Sequence, residues 1–174
     1  MDHIHEILYN VIFTYLEFYD KHTFQKMNKY TNKIHIKNLY DIDEIYLGEL
    51  DDKIIKKYRH VTKLNAKNNF GITNINHMTK LKELNASESW GVCRIGDDSL
   101  VNLTNLEILN AYDNRRITNV NHMTNLKELD ASFTCGISDE GIKQLKKIKI
   151  LTAIDNYKIT NINRVTKLIV SNIS

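Results

Sequence analysis

The chain has 174 residues, 42% of them hydrophobic and 26% charged, with no proline, six glycines and two cysteines. That length holds one domain with a small appendage, and the apolar fraction excludes wholesale disorder. A net charge of +3 is too balanced for a nucleic-acid binder. No apolar run reaches the ~18 residues of a membrane helix, and the opening MDHIHEIL lacks the basic start of a signal peptide. Two cysteines are too few for a disulfide framework, so a reducing cytoplasmic or nuclear setting is expected.

In chain order, residues 1–35 come first. Ile4, Ile7, Leu8, Val11, Ile12, Tyr15 and Leu16 recur at helical spacing and predict an amphipathic helix. Asp20 is placed to cap a second helix carrying Phe24 and Met27. This segment reads as a helical cap for the rest of the chain.

From residue 36 the chain repeats. Its five alanines, Ala66, Ala86, Ala111, Ala131 and Ala153, lie 20, 25, 20 and 22 residues apart. Each has an aliphatic residue two before it (Leu64, Leu84, Leu109, Leu129, Leu151) and another five before it (Val61, Leu81, Leu106, Leu126, Ile148). Asn69, Ser89, Asn114, Thr134 and Asn156 stand three residues after the alanines. The alternating Leu and Ala point inward from a short strand. Alanine marks a place where a larger side chain would push neighbouring turns apart. The Asn column is expected to bond neighbouring backbone through its amide, with the Ser and Thr hydroxyls doing part of that work.

Two kinds of connection alternate. Short ones read ITNINHMTKL, ITNVNHMTNL and ITNINRVTKL and predict irregular or 3₁₀ turns. Long ones, IGDDSLVNLTNL and ISDEGIKQLKKI, open acidic and carry aliphatics every third residue, which predicts a short capped helix. LDDKIIKKYRHV, at 50–61, aligns with the long kind and predicts a degenerate first repeat with its strand at 42–47 (Ile42, Ile45 and Leu47 inward). Residues 74–87 and 119–132 match at 11 of 14 positions, the mark of a duplicated two-repeat unit. A terminal strand begins at Leu168, and its open edge could pair with a partner.

The period and the LxxLxA columns resemble leucine-rich repeats. The short connections are similar to those of internalin-like repeats, with His77, His122 and Arg164 where that family has proline. The long connections resemble the cysteine-containing repeats of F-box proteins. The resemblance implies an α/β solenoid over 36–174, about six repeats with parallel strands on a concave face and short helices or turns on the convex face. Residues 12–20, IFTYLEFYD, resemble the F-box pattern, although the family's Leu-Pro opening is missing. That likeness implies a substrate receptor of a cullin–RING ubiquitin ligase. Ile4, Ile12, Phe13, Leu16 and Phe18 would then dock a Skp-family adaptor while the repeats hold an unknown protein target. The alternative is a stand-alone repeat module whose N-terminal helices only cap the solenoid. The Ile, Asn and Lys bias resembles repeat families of giant DNA viruses and protists, which implies a host-cytoplasmic setting for a viral chain.

Outward positions of the strands and of the turns after them give the candidate partner-binding residues: Ile108, Asn110, Tyr112, Asp113, Asp130, Phe133, Ile150 and Ile154. Glu88 is expected to face outward in the same series. Exposed aromatic and aliphatic side chains on such a face are anchors for a protein partner. No catalytic constellation, cofactor motif or metal set is recognisable. Recurrence of His77 and His122 is explained by duplication. Cys93 and Cys135, two repeats apart, lie about 10 Å apart along the stack at ~4.8 Å per strand, beyond the ~7 Å that a disulfide spans.

Overall fold

The computed structural model describes residues 38–39, 50–56, 58–89, 92–160 and 167–169. The helices expected over 1–35 and the strand expected over 42–47 lie outside these residues.

Seven parallel strands form one sheet in sequential order: β1 (Asn38–Leu39), β2 (Lys63–Asn65), β3 (Glu83–Asn85), β4 (Ile108–Asn110), β5 (Glu128–Asp130), β6 (Ile150–Thr152) and β7 (Lys167–Ile169). Their register runs through one leucine column, Leu39, Leu64, Leu84, Leu109, Leu129, Leu151 and Leu168. Each strand pairs with the next in sequence and none is skipped, so every connection closes one turn of a stack. This is a leucine-rich-repeat solenoid. The strand beside β2 is therefore Asn38–Leu39 and not 42–47. Leu39 stands 25 residues before Leu64, the same interval that separates Leu84 from Leu109.

Behind the sheet the alanine column is 0–1% exposed, and the leucines of β2 to β6 are 0–2% exposed. At ~4.8 Å between strands a side chain larger than alanine at that column would meet the turn above or below it. Each strand's order continues past its third residue. The N–H groups of Ala66, Ala86, Ala111 and Ala131 donate to the carbonyls of Asn85, Asn110, Asp130 and Thr152 in the next turn at 2.7–2.8 Å.

The three-residue aliphatic period has a backbone cause. In each connection the N–H of one apolar residue donates to the carbonyl of the apolar residue before it. Met78 donates to Ile75, Leu81 to Met78, Leu103 to Leu100, and Leu126 to Met123, at 2.9 Å in each case. Polar backbone is thus satisfied inside the connection while the side chains share the buried face. Long connections add one helical turn each: α1 (Asp52–Ile55), α2 (Asp97–Leu100) and α3 (Asp139–Ile142). Asp51 caps α1 by accepting from the Ile54 N–H at 2.8 Å.

The first-turn aspartates bind the next repeat. Asp52 accepts the N–H groups of Thr73 (2.7 Å) and Asn74 (3.0 Å) together with the Thr73 hydroxyl. Asp97 does the same for Thr118 and Asn119, and Asp139 accepts from Thr160. Burial pushes the Asp52 carboxyl up, but these hydrogen bonds outweigh it and hold its pKa below the ordinary value. His77 and His122 donate through Nε2 to the carbonyls of Ile55 and Leu100 at 3.0 and 2.9 Å. They tie short connections to the helical turn of the preceding repeat.

The asparagine column forms the expected ladder in the short repeats. The Asn114 amide donates to the Ala86 and Ile95 carbonyls of the preceding repeat (2.8 and 3.1 Å), and its oxygen accepts from the Arg116 N–H (2.9 Å). Asn156 repeats this on Ala131, Ile137 and Lys158, and Asn69 reaches Leu50. In the long repeats the expectation fails. Ser89 and Thr134 are exposed, and buried Cys93 and Cys135 fill the interior place, with the Cys93 thiol 3.8 Å from the Ala66 carbonyl. A later residue enters the column in each: Cys93, seven residues after Ala86 in a lengthened turn, and Cys135, four residues after Ala131 in a turn of ordinary length.

Asn114→Ala should cost about 1–3 kcal/mol, because two buried carbonyls and one N–H lose their partner at once. A urea midpoint unchanged from wild type would refute the ladder's role.

Candidate functional site

Columns of side chains run across the outer face of the sheet. Ahead of the inner leucines lie Lys63, Glu83, Ile108, Glu128 and Ile150, adjacent in register. Lys63 and Glu83 form an ion pair at 2.8 Å. Ile108 and Ile150 are half-buried, and Glu128 stands between them, so they do not form one patch.

The column after the inner leucines is structural. Asn65, Asn85, Asn110 and Asp130 each accept the N–H two residues ahead, at Lys67, Ser87, Tyr112 and Ser132, at 2.9–3.1 Å. These short side-chain turns bend the chain out of the strand. Asn110 and Asp130 thus spend an acceptor on their own backbone.

The turns beyond carry the distinctive geometry. Asn68, Asp113, Phe133 and Asp155 occupy equivalent places with φ between 54° and 58°. Asparagine and aspartate tolerate this left-handed region, but a bulky side chain there is an outlier. Glu88, expected to face outward, is 4% exposed, and its carboxylate accepts the Cys93 N–H at 3.1 Å.

Phe133 is 39% exposed. Its ring lies 4.8 Å from that of Tyr112, tilted by 48°. Its N–H donates to Ile154, while the Asp113 N–H donates to Ser132, so the turn of Phe133 is stacked between those of Asp113 and Asp155. Thr134 donates to the Asp113 carboxylate through both its N–H and its hydroxyl, and Arg115 donates to the same hydroxyl at 2.9 Å. Of the sequence-derived candidates, the structure therefore brings together Tyr112, Asp113, Phe133 and Ile154. Ile108 and Ile150 sit at the other end of the strands.

Sequence reasoning misses Phe70, Val92 and Tyr157, which are 58, 37 and 70% exposed in the same series of turns. Phe70 and Tyr157 directly follow the ladder residues Asn69 and Asn156. An apolar residue just outside an obligatory interior position is the signal that could have found them. Together with Tyr112 and Phe133 they put an apolar side chain on the turn side of each of five successive repeats.

The cluster is suited to contact. Burial pushes both thiols up to about 11, and neither cysteine is in a disulfide. Among the described residues no group of three His, Cys, Asp or Glu side chains is placed to hold a metal ion.

No family model and no curated protein matches the chain. Two solved structures from Listeria monocytogenes are similar. An internalin, inlF, is 20% identical with a TM-score of 0.49 over 69% of this chain and 37% of its own. An internalin C2, inlC2, is 18% identical with a TM-score of 0.44 over 70% of this chain and 68% of its own. The chain spans well under half the length of the first.

Phe133→Asn should raise stability by about 1 kcal/mol by relieving the left-handed strain, a rise in Tm of about 2–4 °C. A fall of that size would mean that the ring's contact with Tyr112 outweighs the strain.

Proposed function

We propose that this chain is a protein-binding module whose principal contact is the aromatic cluster of Tyr112 and Phe133 with the flanking turns. Phe133 carries the reading. Every other described non-glycine residue at a left-handed position of these turns is Asn or Asp, which meets the backbone requirement at less cost. A phenylalanine held there with its ring reaching solvent is unfavourable for the free protein and favourable for a complex, where such a ring becomes a buried anchor. The double substitution Tyr112→Ala with Phe133→Ala should weaken capture of the target by tenfold or more without lowering the thermal midpoint. Equal recovery of the same captured proteins by wild type and double mutant would move the contact elsewhere.

The finer reading is a substrate receptor of a ubiquitin ligase, active in the cytoplasm or nucleus. In that role the chain supplies binding surfaces and no catalysis of its own. Its support is the residue order of 12–20, ahead of a repeat domain, with Ile4, Ile12, Phe13, Leu16 and Phe18 as the adaptor-docking set. The competing reading keeps the repeats as a stand-alone binding module and gives residues 1–35 only a capping role. Purified wild-type chain should retain a Skp-family adaptor, and Phe13→Asp with Leu16→Asp should lose it. Failure of the wild type to retain the adaptor, or equal retention by the mutant, would leave the stand-alone module.

A further inference from the structure

A second surface lies where the chain enters each strand. The backbone there is bonded from turn to turn: Lys82 N–H to the Thr62 carbonyl, Glu107 to Lys82, Lys127 to Glu107, and Lys149 to Lys127, at 2.7–2.8 Å. These residues therefore form a column, about one strand spacing apart. Two residues earlier in each repeat stand Lys80, Asn105, Asn125 and Lys147. A groove of about 580 Å³ is lined by residues of both columns, four lysines and one glutamate among them.

The hydrogen bonding of the groove narrows what it can hold. The amides of Asn105 and Asn125 are spent on the carbonyls of Thr79 and Thr104 at 2.9 and 3.1 Å. Lys147 donates to the Asn125 side chain at 2.7 Å. The donors left over are ammonium groups, and no carboxylate lies against Lys80 or Lys147 among the described residues. Glu107 shows what suits them. Its carboxylate spans Lys82 at 2.9 Å and Lys127 at 2.5 Å. The Lys127 and Lys82 ammonium groups hold its pKa down at about 2. A lysine pair two repeats apart is thus spaced to take one carboxylate between its members.

We infer that this groove binds an acidic segment of a protein partner, whose carboxylates pair with Lys80 and Lys147 and compete with Glu107 for Lys82 and Lys127. Glu107 is an internal stand-in for such a carboxylate and holds the site partly self-satisfied. No aromatic side chain lines the groove, so a single-stranded nucleic acid would find ion pairs but no platform for its bases. The site is separate from the Tyr112–Phe133 cluster and does not depend on it.

The test is fluorescence anisotropy of a labelled deca-glutamate peptide at low ionic strength, with an oligothymidylate of equal charge as comparison. Wild type should bind the peptide more tightly than the oligonucleotide, and added salt should weaken binding. Glu107→Gln should tighten it about threefold, because two lysines lose their internal partner. Lys82→Glu with Lys127→Glu should weaken it about tenfold or more. Should that pair fail to fold by circular dichroism, Lys80→Gln with Lys147→Gln decides, with a loss of about threefold expected. Tyr112→Ala with Phe133→Ala should leave peptide binding unchanged. Unaltered or weaker binding by Glu107→Gln, indifference to the lysine substitutions, or tighter binding of the oligonucleotide would each overturn the proposal.

Discussion

Asn69, Asn114 and Asn156 each reach from one turn of the chain to a carbonyl of the turn before, and the sheet depends on that reach. Strands of three residues form too few ladder bonds to hold their own register. Here register is imposed from both sides of the strand. On its outer side, Asn or Asp bends the chain out at a fixed residue. On its inner side, the ladder asparagine satisfies carbonyls that would otherwise be buried without a donor. The leucine and alanine columns can close only when those polar bonds are aligned, because a turn shifted by one residue would put its leucine outside.

The alternation of long and short repeats comes from the same constraint. The repeats of Cys93 and Cys135 have no asparagine at the ladder and fill the place with a buried cysteine, so each gives fewer polar links to its neighbour. Their helical turns supply links through Asp97 and Asp139, which grip the threonine of the next short repeat, as Asp52 does in the first. Histidine from the short connection adds another bond back to the long one. Long and short repeats are therefore complementary halves of one unit, which explains why the duplicated segment spans two repeats. Phe133 stands four residues after its strand leucine, the same left-handed place that Asn68, Asp113 and Asp155 hold in the short repeats. The candidate contact surface is thus built on a turn geometry that the Cys135 repeat shares with the short repeats.

Much of this fold is legible in residue spacing. Side chains that must face inward recur at fixed intervals, so the leucine and alanine columns, the short helical turns and the strand at Leu168 can be read from the pattern. Three features are not legible, each for a physical reason. Local aliphatic alternation points to a first strand at 42–47, whereas the register is set by the 25-residue interval to Leu64; Asp41 stands where later repeats have alanine and hides it. Counting from alanine puts Ser89 and Thr134 in the ladder, but one turn holds extra residues and the other shifts its interior place by one, so Cys93 and Cys135 fill the column instead. Glu88 reads as outward because it falls in one column with Asn68, Asp113 and Phe133, and it is buried with its carboxylate on the Cys93 N–H. Of the candidate surface, Tyr112, Asp113, Phe133 and Ile154 do gather. Asn110 and Asp130 turn out to be turn-formers, a role set by backbone geometry that residue type alone does not reveal.

Bonds between successive turns are the basis of this fold, and amide hydrogen exchange under native conditions reads them individually. The amides of Ala86, Ala111 and Ala131, bonded to the next strand behind a closed core, should be among the slowest to exchange, near the global unfolding limit. Those of Thr73 and Thr118, bonded only to side-chain carboxylates near the surface, should exchange through local opening at much lower free energy. Thr73 and Thr118 amides as protected as the alanines, or an Ala111 amide exchanging at the rate of a frayed turn, would contradict this basis.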